Sequence, residues 1–170
     1  MKKMYCVWLK FDSADLSEII VNLSQKYNDP AFEPHCTLIG KTDVSLPRLK
    51  SVIIDLNSNF DLSKVHPKEI NYSDNYWRSL YIELYEKKVL TKWHEYICHS
   101  LSINNDKEYL PHISLMYNSI SREEKNILSE NIQLRSAYKI KSIQIVDCSD
   151  KVDEWYTVFE YKIEKLRLKI

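Results

Sequence analysis

Two short segments of this 170-residue chain are close copies of one another, Pro34-His35-Cys36-Thr37-Leu38 and Pro111-His112-Ile113-Ser114-Leu115. Each sets a histidine two residues before a hydroxyl in a run of strand-forming residues. Residues i and i+2 of a strand share a face, so each segment presents an imidazole beside a hydroxyl. The alternate residues, Cys36 and Leu38 or Ile113 and Leu115, then point into a core. One match of this form arises by chance in on the order of one chain in several hundred of this length. Two matches point to a duplicated unit.

The surroundings of the segments repeat as well. Residues 4–11 alternate as a strand, with Tyr5, Val7, Leu9 and Phe11 on one face. Leu16, Ile19, Ile20 and Leu23 give a helix over 14–27, which Asn28-Asp29-Pro30 stops. The first motif strand follows at 35–40, then a helix over 46–57 with Pro47 in its first turn. Strands are expected at 68–73 and 78–85, a helix over 87–103 and the second motif strand at 111–117. Ser121-Arg122-Glu123-Glu124 is a capping box opening a helix over 122–133, and β segments at 137–148 and 155–163 complete the pattern. Strand, helix and motif strand therefore occur twice, with 26 residues from Leu9 to His35 and 28 from Leu84 to His112.

This duplication predicts an α+β fold of one domain over residues 1–170, made of two interleaved lobes of β-sheet. A pseudo-twofold axis relates the lobes, helices cover their outer faces, and the two His–hydroxyl pairs meet at a central cleft. Lys plus Arg and Asp plus Glu balance at 24 each, which gives no electrostatic footprint for duplex nucleic acid or an anionic membrane. There is no apolar run long enough to span a bilayer, and Met1-Lys2-Lys3-Met4 leads into an expected alternating strand rather than a signal-peptide apolar region. The expectation is a cytoplasmic monomer, in the host cytoplasm if the protein is viral. The cysteines (Cys6, Cys36, Cys98, Cys148) are widely spaced and read as buried thiols. Gly40 is the single glycine, so glycine-rich phosphate loops are excluded and side chains must hold any phosphate.

The chemistry follows from the residue types. One neutral and one charged imidazole can act as general base and general acid, with His35 and His112 in either role. Thr37 and Ser114 can donate hydrogen bonds to phosphoryl oxygens as charge shifts in the transition state. No metal or other cofactor is called for. His94 and His99 are five apart in the predicted helix and face different sides, so they do not form the i, i+4 pair of a zinc peptidase. His66 reads as a loop residue. Trp8, Trp77 and Tyr81 fall opposite the apolar strand faces and are candidates for stacking a base, with Tyr85 sharing the parity of the last two. Lys10 and Arg78 could neutralise phosphate, but read rather as solvated surface charges.

His35-Cys36-Thr37-Leu38 and His112-Ile113-Ser114-Leu115 resemble the paired signatures of the two-histidine (2H) phosphoesterase superfamily. The extended segments Phe32-Glu33-Pro34-His35, Leu110 to Tyr117 and Trp77 to Leu84 look most like its cyclic phosphodiesterase branch. The resemblance implies a bilobal fold and metal-independent cleavage of a 2′,3′-cyclic or ADP-ribose cyclic phosphate in a small nucleotide. The superfamily also holds RNA-end processing enzymes and phage enzymes that destroy cyclic oligonucleotide or cyclic ADP-ribose immune signals, and a phage-type anti-defence hydrolase of such signals is the alternative reading of this chain. A module that only sequesters a nucleotide is the alternative outside enzymes, though it would have no use for two matched proton-transfer groups. The resemblance further implies that Tyr117 reaches a substrate phosphate, whereas strict strand parity puts Tyr117 on the core face.

Overall fold

In the computed structural model, which describes residues 2–57 and 62–163, strands and helices alternate in the expected order. They are β1 (Tyr5–Phe11), α1 (Ala14–Tyr27), β2 (His35–Thr42), α2 (Leu46–Asn57), β3 (Lys64–Val65), β4 (Pro67–Tyr72), β5 (Leu80–Leu84), α3 (Lys87–Leu101), β6 (His112–Met116), α4 (Arg122–Asn131), β7 (Tyr138–Asp147) and β8 (Tyr156–Lys162). The boundaries have local causes. Ser13 Oγ accepts the Leu16 N–H at the start of α1, and Asn28 closes that helix in the left-handed region (φ 53°) with its N–H on Ser24 O. Ser102 ends α3 in the same way (φ 56°).

All strands join one antiparallel sheet in the order β3-β7-β1-β2-β6-β5-β4, with β8 also pairing β7. Each repeated unit, β1-α1-β2 and β5-α3-β6, has its two strands side by side. The helices cross over between units: α1 packs on β6, and α3 packs on β2. Each lobe thus covers the other's motif strand, a symmetric exchange that ties the two halves together. The covered face carries Val7, Leu9, Cys36, Leu38, Ile82, Ile113, Ile143 and Ile145, packed against Leu16, Ile20, Leu49, Ile53, Leu90 and Ile97. Tight burial of this kind is the main stabilising term for the fold. The four cysteines are free and buried.

Two strand irregularities correct the simple parity reading. In β6, Ser114 pairs with Tyr81 but Met116 pairs with Leu80, so Leu115 is an extra residue in a β-bulge. Leu115 and Met116 both enter the core, and Tyr117 emerges on the opposite face. In β2, Thr37 pairs with Trp8 but Ile39 pairs with Val7, so Leu38 is the extra residue and Leu38 and Ile39 both enter the core. The duplicated motifs therefore share a bulge directly after each hydroxyl. A strict alternation cannot anticipate this, because a bulge shifts parity without altering the residue pattern.

The expected strand over 78–85 also starts late. Tyr76–Arg78 form a 3-10 turn whose Trp77 N–H is capped by Asn75 Oδ1 at 2.9 Å, so Trp77 does not share a strand face with Tyr81. Tyr85 lies past the strand end and is exposed. β3, only two residues long, has no sequence pattern to announce it.

Ile113 is fully enclosed where the two units meet. Ile113→Ala is expected to lower stability by about 2–5 kcal/mol, read from the urea midpoint at unchanged m-value.

Candidate active site

The two units are joined at one register contact, Cys36 opposite Ile113 in antiparallel β2 and β6. That register sets His35 opposite Ser114 and Thr37 opposite His112, all on the face away from the helices. Directly opposed side chains of an antiparallel pair lie about 4.5–5.5 Å apart at Cβ. The two His–hydroxyl pairs thus stand on neighbouring strands of one sheet, related by the twofold symmetry of the antiparallel pair.

Both histidines are aimed by the same local device. His35 Nδ1 donates to Glu33 O and His112 Nδ1 donates to Leu110 O, each at 2.6 Å. The carbonyl belongs in each case to the residue before Pro34 or Pro111, and proline holds that residue extended. A carbonyl only accepts, so Nδ1 carries a proton and Nε2 is the nitrogen left with a free lone pair in the neutral ring.

Their environments differ. His35 is 3% exposed, stacked on Trp8 at 3.7 Å and met edge-on by Phe32 at 5.9 Å. His112 is partly open, with Tyr81 edge-on at 5.3 Å. Burial, reinforced by the nearby His112 and Lys10, pushes the His35 imidazolium down to about 3. Burial also lowers His112, with Arg78 adding to the shift and the Leu110 carbonyl opposing it. Both rings are accordingly neutral at pH 7 in the free protein.

Of the remaining predicted residues, Ser114 Oγ donates to Trp77 O at 3.3 Å, which ties the 3-10 turn to the motif strand. The bulge turns Tyr117 onto the site face, where its buried hydroxyl contacts Ser114 and its ring stacks on Phe32 at 4.1 Å. Trp8 supports His35 directly, while half-exposed Trp77 stacks with Trp155 at 6.0 Å. Tyr81 lies between Arg78 and His112.

Lys10 is not a solvated charge. It is 8% exposed, sits opposite His35 in the β1–β2 register and pairs with Glu33, and burial lowers its ammonium to about 8. Arg78 is likewise only partly exposed. Trp155 was not foreseen: it precedes β8 and reaches Trp8 at 5.7 Å only through tertiary folding. His94 also has a definite place, with Nδ1 on Leu38 O at 2.7 Å and its ring stacked on Tyr109, whose hydroxyl donates to Thr37 O at 2.9 Å. His66 meets Glu86 at 2.5 Å between β3 and β4. Among the described residues no three His, Cys, Asp or Glu side chains converge as metal ligands would.

The position after the bulge differs between the units. The second presents Tyr117, whereas the first presents Gly40, whose Cβ would meet nothing within 4 Å. On the Gly40 side a cavity of about 640 Å³ opens beside Thr37 and His112. On the other side a cavity of about 300 Å³ lies between Trp8, Phe32 and Trp155.

Residues 9–163 match the family model described as cyclic phosphodiesterase-like protein. The chain belongs to that family. Cyclic phosphodiesterase-like proteins fall within the 2H phosphoesterase group, and solved structures share the fold. Apo Escherichia coli LigT aligns over 94% of this chain and 96% of its own at 11% identity, TM-score 0.61. E. coli LigT complexed with 3′-AMP aligns over 97% and 100% at 13% identity, TM-score 0.60. A phosphoesterase crystal structure aligns over 97% and 100% at 12% identity, TM-score 0.60. No curated protein matches by sequence. No helix among the described residues is long and apolar enough to cross a membrane.

The shift of His35 couples to stability. Its native pKa lies below the ordinary 6.5, so the unfolded chain binds a proton first as pH falls. Stability supplied by the neutral ring is complete above pH 6.5 and is lost down to about pH 3, at up to about 1.4 kcal/mol per pH unit. Urea midpoints measured from pH 7 to 4 should fall more steeply for the wild type than for His35→Gln.

Proposed function

We propose that this member of the cyclic phosphodiesterase-like family opens a cyclic phosphate in a small nucleotide, of the 2′,3′-cyclic or ADP-ribose cyclic phosphate type, without a metal. The observation that carries the reading is the register Cys36–Ile113, which brings two imidazoles and two hydroxyls to one patch of the sheet. The LigT complex with 3′-AMP, a nucleotide phosphorylated on its ribose, supports the substrate class. In this reading the protein works as a cytoplasmic monomer on a freely diffusing nucleotide.

The asymmetry of the pair assigns the roles. His35, the more deeply enclosed and held neutral, takes a proton from the attacking water through Nε2. The water oxygen bonds to phosphorus as the bond to the ribose oxygen breaks. His112, the more open ring, donates the proton that the departing oxygen requires. It gains that proton when the anionic phosphate binds beside it, since an adjacent negative charge favours imidazolium. Thr37, Ser114 and the hydroxyl of Tyr117 donate to the non-bridging oxygens, for which Ser114 must exchange its bond to Trp77 O. Trp77 and Tyr81 offer the accessible rings for a base, because Trp8 already carries His35 on one face.

His35→Ala and His112→Ala are each expected to lower kcat by about 100- to 10,000-fold, measured by product release from 2′,3′-cyclic nucleotides. Wild-type turnover should persist in EDTA; loss of activity there would overturn the metal-free reading. The pH profile is a separate check. kcat/KM requires neutral His35 and protonated His112 in the free enzyme, so it should peak below pH 6.5 and fall as pH rises through the lowered His112 pKa. The kcat profile should lie at higher pH, because bound phosphate raises His112.

A further inference from the structure

The backbone of Arg78 is fixed in place, but its side-chain Nε lacks a hydrogen-bond partner. Its N–H donates to Asn75 O at 3.0 Å and its carbonyl accepts from Ser73 Oγ at 2.6 Å. The carbonyl before it, that of Trp77, is held by Ser114 on the motif strand. The guanidinium lies 5.4 Å from the Tyr81 ring centroid, and Tyr81 stands against His112. Yet Arg78 Nε is buried with no hydrogen-bond partner, and no carboxylate pairs with Arg78 among the described residues. Among the described residues the other such atom is Ser79 Oγ, whose residue is wholly enclosed and open to no ligand. Buried donors are almost always satisfied, so an orphaned guanidinium N–H beside a cavity calls for an acceptor from outside.

The cavity supplies the space. Thr37 and His112 line it next to the acid–base pair, Gly40 leaves it open, and Lys41 and Arg78 give it positive charge. Asp106 and Glu108 also line it, but Glu108 is paired with Lys87 at 3.0 Å and Asp106 accepts from Asn104. The planar fork of an arginine matches phosphate oxygens two at a time.

We propose that Arg78 forms a second anion subsite on the Gly40 side of the histidines, which takes a second phosphate group of the substrate. This rests on the proposed cleavage of a cyclic phosphate and narrows its substrate to nucleotides carrying at least one phosphate group besides the scissile one. Nucleoside 2′,3′-cyclic phosphates without a second phosphate leave the subsite empty.

The test compares adenosine 2′,3′-cyclic phosphate with its 5′-phosphorylated counterpart, for the wild type, Arg78→Gln and Arg78→Lys. The wild type should prefer the doubly phosphorylated substrate by about ten- to a hundredfold in kcat/KM. That ratio should collapse toward one in Arg78→Gln and survive in part in Arg78→Lys. A wild-type ratio near one overturns the subsite while leaving the cleavage reading standing, and needs no variant to fold. A ratio that persists in Arg78→Gln also overturns it. If the wild type turns over neither compound, nor ADP-ribose cyclic phosphate, the cleavage reading itself fails, and the subsite with it.

Discussion

The site depends on how two antiparallel strands, β2 and β6, come into register. They meet at a single residue pair, Cys36 and Ile113, whose side chains point into the core. Both are fully enclosed, so a slip by one residue would send every motif side chain to the wrong face and bury polar groups. Hydrophobic burial on one side of the sheet therefore fixes the chemistry on the other. The exchange of α1 and α3 across the junction reinforces it, since each helix packs on the motif strand of the other unit.

Within that frame the histidines are alike in aim and unlike in surroundings. The same contact to the carbonyl before a proline orients both rings and fixes their tautomers. Trp8 and Phe32 then seal one ring, while the other opens on a cavity. A nearly symmetric scaffold thereby sets two imidazoles in unlike surroundings, one enclosed and one partly open. The third element of asymmetry is Tyr117 against Gly40. Both follow a bulge in the same place, but one closes its side of the site with a ring and the other leaves its side open.

Much of this was legible along the chain. The duplication is visible in residue order, and alternation assigned Cys36, Leu38, Ile113 and Leu115 to the core and His35, Thr37, His112 and Ser114 to the opposite face. Helix ends at Asn28 and near Ser121 were readable from capping chemistry, because those contacts lie within a few residues. The place of Tyr117 was not readable, since a bulge changes parity without a compositional mark. The burial of Lys10 and the approach of Trp155 to Trp8 were equally hidden, because each is set by residues distant in sequence.

The sequence by itself determined the elements, the two halves and the identity of the four motif residues, because strand and helix periods and local hydrogen bonding act over short stretches of chain. Only the tertiary structure decided that the motif strands are neighbours, that one histidine is sealed and the other open, and that a cavity lies beside Gly40. Those outcomes depend on register, bulges and packing between segments far apart along the chain, which no local pattern encodes.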